Sequence, residues 1–157
     1  MTKINPQKYK KIETVVILPY IRDKVLMQLR DAKDDIVFPS QWGFFGGSIE
    51  DREMPEEAAK RELFEEICLN PKSMHKFYNE RVPEIGNNTS HAYCFLLTVP
   101  ILDIKLLEGT DLGLFSIEEI RSGELYSPKM KKAFPVMKIP HILNTINALF
   151  RYIKQNQ

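Results

Sequence analysis

The sequence predicts an α/β domain in which a mixed β-sheet lies between helices. Short runs rich in β-branched and aromatic residues, typical of strands, lie on both sides of one well-marked central helix. A second amphipathic helix closes the chain. With 157 residues and 43% hydrophobic content, residues 1–157 are expected to form one compact domain with its own core.

The first half of the chain predicts three strands and a helix. Residues 13–19 and 24–30 are strand-like runs, a polar loop covers 31–40, and a short strand covers 42–49. The helix runs from Pro55 to Cys68, because proline suits a first helical turn and good helix formers follow it. Its apolar stripe, suited to lie on a sheet, consists of Ala58, Ala59, Leu63 and Ile67.

The second half predicts a hairpin, one more strand and the closing helix. Strands over 76–84 and 91–99 are joined by the turn-rich segment 86–89. A short strand follows over 111–115, after which Ser116 has the character of a helix N-cap. The closing helix runs from Pro140 to Lys154, and its apolar side consists of Ile142, Ile146, Leu149 and Ile153.

The central helix carries an unusual concentration of carboxylates next to a glycine turn. Glu62 and Glu66 are four residues apart and share one face of the helix, and Glu65 lies beside them. Such like charges repel one another unless a cation lies between them, and oxygen ligands of this kind suit Mg²⁺ or Mn²⁺. The alternative is an ordinary solvated helix with a Glu57–Arg61 ion pair, but the joint spacing with the preceding glycine favours a metal site.

The segment from Gly47 to Leu69 resembles the Nudix box, the motif of hydrolases that cleave nucleoside diphosphates linked to another group. The match keeps Gly47, Glu53, the Arg61-Glu62 pair and the Glu65-Glu66 pair at the family spacing. The resemblance implies a Nudix-type α/β/α sandwich and a pyrophosphohydrolase that uses Mg²⁺, with Mn²⁺ as a substitute.

The same resemblance implies a role for each matching residue. Glu65 and Glu66 would bind the metal, together with the backbone carbonyl of Gly46, and Glu62 would be a ligand or the general base. Arg61 would orient Glu62, and Glu53 would pair with Arg61.

Two positions outside this set are also suggested by the resemblance. Glu108, in a downstream loop, matches a further metal ligand of MutT-like members. His91 lies at the start of an apolar strand and is expected to be a structural or rim residue rather than a catalyst. One box position departs from the family, because Cys68 replaces a glycine that usually allows a left-handed turn. We therefore expect the end of the helix to be built differently, through Asn70.

The substrate is less strongly indicated than the reaction. Arg30 could meet phosphate, Phe44 could stack on a base, and Gly47 lets the backbone approach a ligand closely. A nucleotide sugar or a nucleotide linked to a small alcohol is slightly preferred, and a nucleoside triphosphate is second. Residues 125–131 contain no asparagine of the kind that reads oxidised guanine in MutT-like enzymes. The alternative function is a catalytically silent nucleotide sensor or protein-binding module.

Composition narrows the class of partner. A net charge of +1 does not favour a nucleic-acid polymer, and no apolar run reaches the length that spans a membrane. The two cysteines indicate no disulfide framework, and the N-terminus lacks the apolar region of a signal peptide. The expected partner is a small nucleotide, the expected location is the cytoplasm, and a homodimer, common in the family, is possible.

Overall fold

The computed structural model describes residues 11–157. The polar N-terminal segment 1–10, on which the expectation of a chain without a signal peptide rests, lies outside the described residues. No helix in the described part of the chain is both long and apolar enough to cross a membrane.

A seven-stranded sheet forms the centre of the molecule. Its strands are β1 (Ile12–Ile21), β2 (Lys24–Leu29), β3 (Trp42–Gly43), β4 (Phe45–Ser48), β5 (His75–Val82), β6 (Asn88–Leu96) and β7 (Asp111–Ser116). β1 runs parallel to β6 along most of its length and antiparallel to β2 and β4. The sheet is therefore mixed, which confirms that prediction.

Helices cover both faces of this sheet. They are α1 (Pro55–Ile67), the short α2 (Ile117–Arg121) and α3 (Pro140–Gln155). Ile17 of β1 packs in the core cluster of α1, whereas the next residue, Leu18, packs in the cluster of α3. Since successive side chains of a strand point to opposite faces, α1 and α3 lie on opposite sides of the sheet. This arrangement is the predicted α/β/α sandwich.

Burial of the predicted apolar stripes holds both long helices on the sheet. All four stripe residues of α1 are fully buried, and so are the central members of the α3 stripe, Ile146 and Leu149. A buried leucine or isoleucine side chain stabilises the fold by about 1.5–3 kcal/mol. At α2, Ser116 forms the predicted cap: its Oγ accepts the Glu119 N–H, and its own N–H donates to Glu119 Oε1, each at 3.2 Å.

Three sequence predictions need correction. The strand over 42–49 is two strands separated at Phe44, and an unpredicted hairpin of β8 (Glu124–Ser127) and β9 (Lys132–Pro135) follows α2. β6 begins at Asn88, three residues before the predicted start, because Ile12 and Asn88 pair at the beginning of the β1–β6 ladder. The turn is instead made by residues 83–87, which include a short 3₁₀ segment, Pro83–Ile85.

The end of α1 also differs from expectation. Cys68 itself takes the left-handed conformation, with φ 56° and ψ 29°, and its N–H donates to the Phe64 carbonyl at 2.9 Å. The prediction that Asn70 builds this turn is therefore wrong. Cys68 is exposed, so its side chain lies in solvent. The turn therefore forms even though cysteine replaces the glycine of the family at this position.

Candidate active site

Arg61 connects the loop after β4 to the glutamates of α1 through hydrogen bonds. Its Nε and Nη2 donate to the two carboxylate oxygens of Glu53 at 2.8 and 2.9 Å, and Nη2 also donates to the Ser48 carbonyl at 3.1 Å. These bonds lower the pKa of Glu53 to about 2, because they favour its charged form. Arg61 thus turns towards Glu53 and not towards Glu57, and the alternative Glu57–Arg61 ion pair does not form.

Glu62 lies between Arg61 and the glycine turn. Arg61 Nη1 donates to Glu62 Oε1 at 2.8 Å, and a Cβ added to Gly47 would lie only 2.3 Å from the same oxygen. Gly47 is therefore required here for close approach, since any side chain would displace the carboxylate. Burial raises the pKa of Glu62, against the opposing effect of Arg61.

Glu66 is the most buried carboxylate of the site, with 3% of the residue exposed. Its two oxygens accept hydrogen bonds from Gln28 Nε2 and from the Gly46 N–H, both at 2.9 Å. Burial raises its pKa to about 8, and the charges of Glu62 and Glu108 add to the effect. The sequence prediction missed Gln28, whose only signal was a polar residue inside the apolar run of β2.

The loop containing Glu108 is attached directly to this end of α1. The backbone N–H groups of Leu107 and Glu108 donate to the Glu66 carbonyl at 2.8 and 3.3 Å. Glu108 and Glu66 line one cavity of about 310 Å³. Glu65 remains half exposed, with Arg61 Nη1 at 3.4 Å from its Oε2. The structure therefore brings Glu108 to the box, as expected from the resemblance.

These residues fit a hydrated divalent cation better than a closed metal cage. Within residues 11–157, no three acidic, histidine or cysteine side chains converge closely enough to enclose a metal by themselves. Mg²⁺ usually takes one or two carboxylates and completes its shell with water and substrate phosphate. The raised pKa values of Glu62 and Glu66 reflect buried charges that repel one another, and a cation would offset both effects.

The three predicted substrate residues lie together beside the carboxylates. Arg30, Phe44 and Gly47 line a second cavity of about 300 Å³, and Arg30 also lines the cavity of Glu66 and Glu108. Arg30 Nε donates to the Val37 carbonyl at 2.7 Å, which holds the guanidinium between the two spaces. Three further aromatic side chains, those of Phe45, Tyr93 and Phe115, are instead buried in the core clusters and do not line this cavity.

His91 lies away from both cavities. Its Nδ1 is 2.9 Å from Lys76 Nζ, and its Nε2 is 3.2 Å from Glu13 Oε1. These contacts connect three strands at the sheet surface, and the role of this histidine as a structural or rim residue stays a prediction.

Comparisons with known proteins identify the family and the fold of the chain. The profile of the NUDIX domain family matches residues 10–135. Among solved structures, the NUDIX domain of Shewanella oneidensis NrtR, complexed with ADP-ribose, superposes with a TM-score of 0.67 at 17% identity, covering 96% of this chain and 94% of that one. The E. coli ORF135 protein has a TM-score of 0.65 at 22% identity, covering 94% and 96%.

A third similar structure is a C. elegans Ap4A hydrolase, with a TM-score of 0.61 at 12% identity and coverage of 92% and 99%. At these identities the structures show the shared fold. No curated protein matches the chain significantly. The profile match confirms the family predicted from the Gly47–Leu69 motif and, with it, the class of enzyme.

Proposed function

Because the chain belongs to the NUDIX domain family, we propose that it hydrolyses the diphosphate linkage of a nucleoside diphosphate joined to another group, with Mg²⁺ as its cofactor. The observation that carries the proposal is the group of carboxylates on α1 beside the cavity of Glu66 and Glu108, where burial raises the pKa of Glu62 and Glu66. Such perturbed carboxylates at a cleft are typical of catalytic sites.

The cation would be held by the carboxylates at the C-terminal half of α1 and by its neighbouring loops. The proposed ligands are Glu65, Glu66, Glu108 and the backbone carbonyl of Gly46. Bound there, Mg²⁺ would neutralise charge on the diphosphate and would lower the pKa of a coordinated water. Glu66 is oriented for this role by Gln28 and by the Gly46 N–H, which fix both of its oxygens.

Glu62 is the proposed general base, since burial raises its proton affinity and Gly47 lets it approach the glycine turn. It would take a proton from the attacking water as the oxygen of that water bonds to phosphorus, and the bond from this phosphorus to the bridging oxygen would break, so that the bridging oxygen leaves with the other phosphate. Arg61 donates to Glu62 and keeps its carboxylate in one orientation, and Glu53 keeps Arg61 in place through two hydrogen bonds.

For the substrate, a nucleotide sugar or a nucleotide linked to a small alcohol remains preferred over a nucleoside triphosphate. Arg30 lines both cavities, and this supports the choice, because a nucleoside could fill one cavity while its diphosphate lies against Arg30 on the side of the carboxylates. The similar NUDIX domain of NrtR is complexed with ADP-ribose, which is itself a nucleoside diphosphate linked to a sugar.

The test is product analysis on a panel of nucleotides, first with Mg²⁺ and then with a chelator. The panel contains nucleotide sugars, CDP-alcohols, ADP-ribose, dinucleoside polyphosphates, nucleoside triphosphates and oxidised dGTP. Cleavage of one class to a nucleoside monophosphate, lost on chelation, is expected. Absence of cleavage of every compound would instead favour a nucleotide sensor or a protein-binding module.

The variant Glu62→Gln keeps the shape of the side chain and removes the proposed base. Its turnover should fall by roughly 10²- to 10⁴-fold, while nucleotide binding is largely retained. Glu57→Gln is the matched control, because Glu57 is exposed on the same helix and makes no ion pair among the described residues. Equal turnover in Glu62→Gln and in the control would rule out the assigned role.

A further inference from the structure

Three buried polar atoms without a hydrogen-bond partner belong to residues of one cavity. They are Asn88 Oδ1, Ser90 Oγ and His141 Nε2, and no partner for them lies within residues 11–157. The three residues are only 2%, 1% and 6% exposed. All three line the cavity that also contains Arg30, Phe44 and Gly47. Buried polar groups are rarely left unpaired, so their concentration around one space points to a polar ligand.

Other hydrogen bonds hold the side chains of Asn88 and His141 in place. Asn88 Nδ2 donates to Thr14 Oγ1 at 3.0 Å, and Asn88 Oδ1 remains an acceptor without a partner in the described part of the chain. His141 Nδ1 is 2.5 Å from Glu80 Oε1, and because a carboxylate only accepts, Nδ1 carries the proton. In the neutral ring, Nε2 is then an acceptor too. Asn88 and Ser90 are two residues apart on β6 and face the same side of the sheet.

The rest of the cavity suits a flat ring. Its walls include the apolar side chains of Val16, Phe44 and Ile142, and its volume is about 300 Å³. A nucleobase has apolar faces and a polar edge, whereas a sugar is polar around its whole rim. Small-ligand sites of the first kind combine mainly apolar walls with a few placed polar groups.

The glycine turn places this cavity next to the proposed catalytic carboxylates. Gly46 and Gly47 form part of its lining, and the same two residues contact Glu66 and Glu62 on the other side of the turn. Arg30 lines both cavities, so a phosphate chain leaving this space would meet the guanidinium before reaching the carboxylates.

We propose that this cavity binds the base of the nucleotide and that Asn88, Ser90 and His141 read an amino-bearing base edge. The inference rests on the proposed function and deepens it by naming the part of the substrate that is recognised. Asn88 Oδ1 and His141 Nε2 accept hydrogen bonds from amino and ring N–H groups of the base. The Ser90 hydroxyl donates to a ring or carbonyl acceptor. Glu80 acts as a positioning residue through His141.

The test measures binding of nucleoside monophosphates by calorimetry, so that it does not depend on turnover. The compounds form matched pairs that differ only in the amino group: GMP with IMP, AMP with purine riboside monophosphate, and CMP with its 4-deamino analogue. In the pair that binds most tightly, the amino-bearing member should bind roughly 3- to 10-fold more tightly, which is the effect of one hydrogen bond. Equal affinity within all three pairs would overturn the proposal.

Ser90→Ala separates a ligand-reading role from a structural one. Since Ser90 Oγ has no partner in the described protein, its removal should leave the melting temperature unchanged or raise it, while monophosphate affinity falls roughly 3- to 10-fold. Ser127→Ala is the matched control. Ser127 is equally buried, but its Oγ donates to Asp111 Oδ2 at 2.6 Å and accepts from the Met130 N–H. This variant should lower the melting temperature and leave affinity unchanged.

Two further outcomes separate this inference from the proposed function. Nucleotide hydrolysis with unchanged affinity in Ser90→Ala and no preference within any pair overturns the base-reading cavity alone. Selective binding that is lost in Asn88→Leu and weakened in Ser90→Ala, without hydrolysis of any panel compound, supports the cavity and counts against the hydrolase.

Discussion

Replacing Glu66 with glutamine should change how the stability of the metal-free protein depends on pH. Glu66 is 3% exposed, and burial raises its pKa from 4.5 to about 8. Glutamine has nearly the same shape and keeps an oxygen for the hydrogen bond from Gln28. It loses the acceptor for the Gly46 N–H, which costs about 1 kcal/mol at every pH.

The direction of the effect follows from proton binding. Between pH 4.5 and pH 8, Glu66 has lost its proton in the unfolded chain but keeps it in the folded one. The contribution of Glu66 to the free energy of unfolding is therefore largest below pH 4.5, and it is lost as pH rises towards 8. The slope is at most about 1.4 kcal/mol per pH unit, which amounts to roughly 3 kcal/mol between about pH 5 and about pH 8.

The assay is urea unfolding in the presence of a chelator at several values of pH. Trp42 is the only tryptophan and is fully buried, so its fluorescence reports unfolding. The free energy of unfolding of the wild type should approach, and then fall below, that of Glu66→Gln as pH rises. Adding Mg²⁺ should raise the free energy of unfolding of the wild type at high pH, because a metal binds the ionised carboxylate. The free energy of unfolding of the variant should stay the same.

Glu57→Gln is again the control, and its stability should follow that of the wild type at each pH. Parallel curves for the wild type and Glu66→Gln would refute the reasoning, because they would mean that Glu66 titrates alike in the folded and unfolded states.

Three other substitutions test single contacts of the site. Gly47→Ala places a Cβ 2.3 Å from Glu62 Oε1 and should reduce kcat at least tenfold by moving that carboxylate, with circular dichroism confirming that the fold remains. Glu53→Gln should cost about 1.5–3 kcal/mol of unfolding free energy at neutral pH, because it breaks the charged pair with Arg61. That difference should shrink as pH falls from 4.5 towards 2, where Glu53 of the wild type protonates, and acid titration of both proteins measures it. Cys68→Gly should raise stability by about 1 kcal/mol, since glycine takes the left-handed conformation without strain; Cys68→Ala should not, and calorimetric melting compares the two.

The sequence alone predicted the box and the elements that present it. Gly47, Glu53, Arg61 and the glutamates of α1 follow one another at fixed intervals, and helical periodicity converts such intervals into a shared face. The sandwich was predicted for the same reason, because the apolar stripes of α1 and α3 are local patterns. Family resemblance added Glu108, which pattern alone does not connect to α1.

Predictions from local sequence were wrong where the bounds of an element depend on distant parts of the chain. The start of β6 is set by its pairing with β1, more than 70 residues earlier. The hairpin of β8 and β9 has a polar, lysine-rich turn between strands of four residues each, and strands this short give only a weak pattern in the sequence. At the end of α1, backbone geometry prevailed over residue preference, since Cys68 takes the left-handed position that favours glycine.

Only the tertiary structure identified the residues that complete the site. Gln28 supports Glu66 across 38 residues of sequence, and Glu80 holds His141 across 61. Asn88 and Ser90 become notable only because folding buries them beside His141 and leaves one atom of each without a partner among residues 11–157. A site formed by neighbours on one helix can be recognised from the intervals between its residues in the sequence. Recognition that depends on which side chains meet across a sheet appears only when the chain has folded, because burial and hydrogen-bond partners are properties of the packed structure.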